Sequence, residues 1–314
     1  MVEKLKALMQ RKGWSQAKTA GIIGIGASTL SEYLNGTYKG DMATIEKKVS
    51  DVLSDVEDNA VKQFEFFVET TLSEKIDNTL ALLQKTVTST TNVTGSGNIA
   101  IIAGKAGRGK TYTLKKYAAE HPGKCIVIES ESNYTYGKIM KEIAKQLKIA
   151  TNRRNDAIKE EIIASLTGKK MIIIVDEAEH LNGECIEVLR RIADKTGVGL
   201  ALVGLETILN YMRNLKNDSE YLISRIMRVT YISDIDKNDA VKILNKYFEE
   251  NNIYSESEIE KLAETFVSVC RGSIRRMSKL LPLTMEYMRH NGKEKMTSKF
   301  VQQVKETTLD VIEK

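Results

Sequence analysis

The sequence predicts an α/β protein: a parallel sheet between helices around a phosphate-binding loop, with a helical lid after it and a small all-helical unit before it. Three observations carry that expectation. Runs of β-formers alternate with helical patterns from Asn98 to about 233. The octapeptide GKAGRGKT at 104–111 stands between the first of those runs and a helix. Beyond Asp234 the spacing is helical throughout, with Pro282 as the only proline.

Taken in order, residues 1–56 form the first unit, of short helices with glycine breaks. The stretch WSQAKTAGIIGIGASTLSEYLNGTYKG puts Gln16 and Ala20 one turn apart on a helix and a tight turn at Gly24. Ile25, Leu30 and Leu34 then take core spacing on a second helix that ends at Asn35-Gly36. This pattern resembles the helix-turn-helix domains of the phage-repressor class. The resemblance implies that the second helix enters a DNA major groove, with Ala27, Ser28, Thr29, Ser31 and Glu32 toward the bases and Gln16 and Lys18 near the backbone. That helix carries no Arg or Lys, so strong guanine readout is not expected and sequence preference should be relaxed. Arg11, Lys12 and Lys39 are left to meet phosphates. A helical cap for subunit contacts is the competing reading of this unit.

Residues 57–97 follow as a joining segment. Apolar residues at helical intervals run to about 85, and TVTSTTNVTGSGN then reads as a loop. The core occupies 98–233, with NIAIIA, KCIVIE, KMIIIVDE, VGLALVG and IMRVTYI as its strands; 234–314 form the lid and a basic end.

At 314 residues the chain has room for two domains and a small third, and 42% hydrophobic residues suit a soluble protein with a real core. IAIIA, MIIIV and VGLALVGL are too short to span a membrane, and the start MVEKLKALMQRKGW lacks the apolar region of a signal peptide, so a cytoplasmic location in a bacterial host cell is expected. Cys125, Cys185 and Cys270 are isolated, which indicates neither a disulfide framework nor a zinc site. Residues 271–314 hold ten Lys or Arg against five Asp or Glu, a surplus equal to the whole chain's net charge of +5. A basic end suits a polyanion, although a solvated helical face has the same composition.

The octapeptide fits G-x-x-x-x-G-K-[ST]. Gly104, Gly107 and Gly109 let successive backbone N–H groups converge on phosphate oxygens, Lys110 reaches the outer phosphates, and the Thr111 hydroxyl can ligate Mg²⁺. Lys105, Ala106, Arg108 and Tyr112 complete the nucleotide-binding stretch, and the following helix points its positive end at the same anion. In KMIIIVDEAEHL, Asp176 emerges from a buried strand at the sheet's carboxyl edge, where an acid can hold Mg²⁺ through water, and Glu177 can orient and deprotonate the attacking water. His180 has no metal spacing around it and is left out of the site.

From about Asn98 to Arg289, this succession resembles the AAA+ ATPases: phosphate loop, IIIVDE strand, LALVG strand, SRIMRVTYI, then GSIRRM in the lid. That resemblance implies rings or filaments in which Arg225 reaches across a subunit boundary as an arginine finger, with Arg228 as its competitor. It also implies that Arg275, or else Arg276, senses the bound phosphate. The sequence departs from that family at the end of the fourth strand. A polar residue normally holds the attacking water there, whereas LALVGLE offers Gly204 and Leu205 before Glu206, which implies slow or partner-stimulated hydrolysis.

A helix-turn-helix joined to such a core with a basic end is similar to the target-selecting ATPases of transposons, the phage Mu B type. The resemblance implies ATP-dependent polymerisation on duplex DNA with little sequence specificity, and recruitment and activation of a transposase. SESNYTYGK, with Tyr134, Thr135 and Lys138, and TNRRN, with Arg153 and Arg154, are the loop candidates for DNA contact; solvated loops are the alternative. A replication initiator or helicase loader and an ATP-switched transcriptional regulator remain as other readings of the whole chain.

Overall fold

The computed structural model describes residues 1–12, 14–62, 66–89, 98–132, 134–213, 219–249 and 253–308. The chain divides into two compact units, Met1–Phe66 with Leu281–Met296, and Phe67–Leu280 with Thr297–Lys314.

The first unit opens with α1 (Val2–Lys12), α2 (Gln16–Ile23), α3 (Ala27–Leu34) and α4 (Met42–Lys62). Ser15 caps α2 by accepting from the Lys18 N–H at 3.2 Å, and Gly24 closes it in the left-handed region at φ 72°. Leu5, Ala20, Ile23, Leu30, Tyr33, Leu34, Ile45 and Val49 form the core, so the helix-turn-helix spacing expected from the sequence is the spacing that is buried. Lys48 on α4 donates to the Gly24 carbonyl at 3.2 Å, pinning the turn from outside the motif. Helix α4 runs past the expected boundary at residue 56 without a break.

In the second unit, α5 (Thr71–Ser89) precedes β1 (Ile99–Gly104), α6 (Lys110–Glu120), β2 (Cys125–Glu129), α7 (Tyr136–Gln146) and α8 (Asn155–Leu166). Next come β3 (Ile172–Asp176), α9 (Gly183–Thr196), β4 (Gly199–Gly204), α10 (Thr207–Arg213), α11 (Ser219–Ile223) and β5 (Ile226–Ile232). The lid contributes α12 (Lys237–Phe248), α13 (Glu256–Cys270), α14 (Ile274–His290), which contains Pro282, and α15 (Ser298–Thr308). The five strands are parallel in the order β2-β3-β4-β1-β5. Residues of β1, β3 and β4 are buried throughout, as near-continuous apolar runs must be when helices cover both faces.

The joining segment differs from the expectation. Residues 86–89 continue α5 instead of opening a loop, and 90–97 lie outside the described residues. Helix α5 is a layer of the core: Leu72, Ile76, Leu80, Leu83 and Val87 are buried, each contributing about 2 kcal/mol, and the Thr79 hydroxyl meets that of Thr230 on β5 at 2.7 Å. Its start is tied to the lid, where fully buried Asp239 on α12 accepts from the Thr71 N–H at 2.8 Å and the Thr71 hydroxyl at 2.6 Å.

Candidate functional site

Strand order places the candidate chemistry on one edge. Ala103 is level with Gly204, and Val175 with Leu202, so the carboxyl ends of β1, β4 and β3 lie side by side with β4 in the middle. The glycine-rich loop leaves β1 there, and helix α6 begins at Lys110 after Gly109 in the left-handed region at φ 83°. Gly107 is also left-handed, at φ 74°, and a Cβ on it would stand 2.7 Å from the Ser273 hydroxyl, so a larger residue would be strained and would have to displace that hydroxyl.

The loop is bonded to the lid on several sides. The Arg275 N–H donates to the Gly107 carbonyl at 3.1 Å. Arg108, 6% exposed, donates to Asp234 Oδ1 from Nε at 3.0 Å and from NH2 at 2.6 Å, to the Arg271 carbonyl at 3.0 Å and to the Ala106 carbonyl at 3.1 Å. Lys105 Nζ lies 3.5 Å from Asp234 Oδ2. These cations hold the Asp234 carboxyl below its ordinary pKa, the Arg108 hydrogen bond first among the causes. Sequence reasoning included Arg108 as part of the loop but missed Asp234, which follows the expected fifth strand and shows no motif of its own.

Lys110 is buried, and its ammonium donates to the Gly104 carbonyl at 2.6 Å and the Lys105 carbonyl at 2.9 Å. Burial pulls its pKa below the usual lysine value, while Glu179 and then Asp176 favour its charge. Thr111 is half-buried beside it. Tyr112, 51% exposed, stacks on Phe67 with ring centroids 5.7 Å apart.

On β3, buried Asp176 accepts from the Glu177 N–H through Oδ1 at 2.9 Å, while Oδ2 is buried with no hydrogen-bond partner among the described residues. Desolvating a carboxylate oxygen without a partner is costly, and a hydrated divalent cation is a partner of the right charge. The residues present therefore fit Mg²⁺. Glu177 takes a left-handed backbone at φ 51°, and its Oε2 stands 3.6 Å from His180 Nε2. The turn is bolted by Ser130, 1% exposed, whose hydroxyl donates to the Asp176 carbonyl at 2.9 Å and the Glu177 carbonyl at 2.7 Å. Ser130 gives no signal in the sequence, where it is one polar residue after a strand.

The candidate arginines separate. Arg275 donates its N–H to the Gly107 carbonyl, and its Cβ would stand 3.0 Å from a Cβ on Gly107, so the geometry joins this arginine to the phosphate loop. Arg225 sits at the other edge of the sheet. Its carbonyl accepts from the N–H of Ile99, the first residue of β1, and the five steps to Gly104 span about 16 Å. Its Nε meets both oxygens of Asp194 at 2.9 Å. Arg228 is level with Ala100 on the edge strand β5 and is exposed.

Among the DNA candidates, Gln16 and Ser28 are exposed, with Ala27, Lys18, Glu32 and Lys39, while Thr29 and Ser31 are half-buried. The side chains of Arg11 and Lys12 lie outside the described ones. In the first core loop Tyr134 is 7% exposed and belongs to the hydrophobic core, which takes its ring away from any DNA surface. Thr135 caps α7, and Lys138 is exposed, 3.9 Å from Glu131. Arg153 is exposed and pairs with Glu161; Arg154 is exposed at the start of α8.

A family described as an AAA domain matches residues 93–212, and one described as a helix-turn-helix matches 5–47. The chain is similar to the Mu-like prophage FluMu DNA transposition protein B of Haemophilus influenzae, 31% identical with 84% of this chain and 91% of that protein covered. It is also similar to the ATP-dependent target DNA activator B of Escherichia phage Mu, 25% identical over 98% and 95%. The ORC2 protein of Aeropyrum pernix, solved in ADPNP and ADP complexes, has the same fold at a TM-score of 0.58 and 17% identity, over 78% of this chain and 71% of that one. No described helix is long and apolar enough to cross a membrane. With a nucleotide-binding AAA core, a helix-turn-helix and near full-length similarity to such relatives, the chain belongs to the family of Mu-type DNA transposition B proteins, which are AAA ATPases.

Proposed function

We propose that this protein binds duplex DNA as an ATP-dependent polymer with little sequence specificity, marks it as a transposition target, and recruits and activates a transposase. One observation carries the assembly step. The candidate nucleotide site lies at the carboxyl edge of the sheet, and the candidate finger Arg225 lies at the amino edge, too far to serve its own nucleotide. A triphosphate bound at Lys110 is then completed by Arg225 of the next protomer, and polymer stability depends on the γ-phosphate.

Within one site the roles divide by position. Loop N–H groups and Lys110 hold the phosphates, Arg275 reports on them from the lid, and Glu177 accepts the proton of the attacking water. Thr111 and Asp176 would hold Mg²⁺, which neutralises charge on the outer phosphates. Weak phosphate contacts from the helix-turn-helix and the 151–154 loop add along the polymer, giving affinity without much base reading.

Electron microscopy with ATP, Mg²⁺ and random duplex DNA tests this. Extended helical polymers are expected from the wild type and none from Lys110→Ala. A Lys110→Ala protein that coats DNA as the wild type does, with or without nucleotide, would overturn the proposal.

A further inference from the structure

The end of β4 lacks the polar side chain that the resemblance calls for, yet the space over it is not empty. Glu179, in the turn after β3, reaches back so that its Oε2 accepts from the Leu205 N–H at 3.0 Å. A Cβ on Gly204 would collide with that same oxygen, so the glycine makes room for the carboxylate. Since β4 lies between β3 and β1, this carboxylate stands between the strand of Asp176 and the phosphate loop. It is also the acid that most favours the Lys110 charge, ahead of Asp176.

We propose that Glu179 is a catalytic residue that supplies, from the turn after the neighbouring strand, the hydrogen-bond acceptor missing at the end of β4. One oxygen is committed to the Leu205 N–H, which restrains the carboxylate and leaves its other oxygen as the acceptor for the water. The carboxylate thereby holds the attacking water in line while Glu177 takes its proton. The glycine and the glutamate form one device: the side chain absent from residue 204 is replaced by one that its small size admits. The inference rests on the reading of 104–111 as the phosphate loop.

The experiment measures ATP affinity with a fluorescent ATP analogue, steady-state turnover, and the unfolding midpoint without nucleotide. Glu179→Ala should lower kcat by about 100-fold while affinity stays within about twofold. Glu179→Gln keeps an oxygen for the Leu205 N–H but puts an NH2 donor in place of the second acceptor, so its kcat should stay near that of Glu179→Ala while its unfolding midpoint stays near wild type. Gly204→Ala, whose Cβ meets the flexible tip of Glu179 first and the Ala178 backbone N at 3.2 Å, should reproduce the kcat defect with at most a small drop in the unfolding midpoint. Lys110→Ala is the control and should abolish nucleotide binding. Wild-type turnover in Glu179→Ala would overturn the inference, as would a loss of affinity equal to the loss of kcat in both Glu179 variants. If Lys110→Ala still binds nucleotide, the reading of the loop fails instead.

Discussion

The phosphate loop and the helix-turn-helix are both built for polyanions, and they are built in opposite ways. Around the loop, Lys110 and Arg108 are buried, and Arg108 is held within the protein: a carboxylate and two carbonyls accept from one guanidinium. On the helix-turn-helix, Gln16 and Ser28 stand in solvent, and the helix expected in the groove has no cation. A single small ligand bound by one copy needs donors fixed in advance, because reorganisation would consume its limited binding energy. A long polyanion met by many copies needs only modest contacts from each. Under the proposed assembly on DNA, the difference teaches that specificity is concentrated on nucleotide, while DNA affinity is spread over repetition.

Breaking the prebuilt side should give the largest effect. Arg108→Ala removes the clasp between loop and lid and leaves the Ala106 and Arg271 carbonyls without this donor. Turnover should fall by about 100-fold, the scale of loss when a reacting group is misplaced by an ångström. Asp234 is half-exposed and rehydrates, so the unfolding free energy should fall by only about 1–3 kcal/mol. Asp234→Ala should follow in the same direction. Unaltered turnover in a folded Arg108→Ala protein would show that the clasp is ornamental to the site.

How much of this could be read in the sequence follows from the range of each interaction. Local patterns were legible: the five strands, the turn at Gly24 and the lid helices all rest on spacing within one element. Pairings between distant segments were not. Helix α5 has the amphipathic spacing of any surface helix, and nothing in its residues says that it packs on the sheet and is anchored by Asp239. In SNYTYGK, Tyr134 reads as a loop candidate for DNA contact, and only the fold turns it inward. Glu179 shows the limit most clearly, since the LVGLE stretch reads as a missing group until the turn after the neighbouring strand fills it.

Because the helix expected in the groove lacks cations, phosphates must be met elsewhere, which sharpens the comparison on its weaker side. Arg153→Ala with Arg154→Ala should weaken ATP-dependent DNA binding. The slope of log affinity against log salt should shrink by about 1 for each phosphate that is no longer neutralised. The pairing of Arg153 with Glu161 is exposed and gives way easily to a phosphate. Binding that is unchanged across a salt titration would remove these two residues and return the load to the first unit.

The smallest effect tests whether prebuilt networks extend beyond the phosphate edge. On α9, Glu187 accepts from Arg190 Nε at 2.7 Å, Arg190 NH2 at 2.7 Å and Arg191 Nε at 2.5 Å; Arg190 also pairs with Asp194, which holds Arg225. The hydrogen bond from Arg190 leads the causes that lower the Glu187 pKa from 4.5 to about 2. Because the folded value is the depressed one, its stabilisation is complete above pH 4.5 and fades as pH falls toward 2. The wild type should therefore exceed Glu187→Gln in unfolding free energy by about 1 kcal/mol at neutral pH, allowing for solvent screening, and the gap should narrow between about pH 4.5 and 3. A gap that stays flat over that range would mean that Glu187 is no more fixed than a surface carboxylate, and that the ordering seen at the phosphate loop stops short of the helix that restrains Arg225.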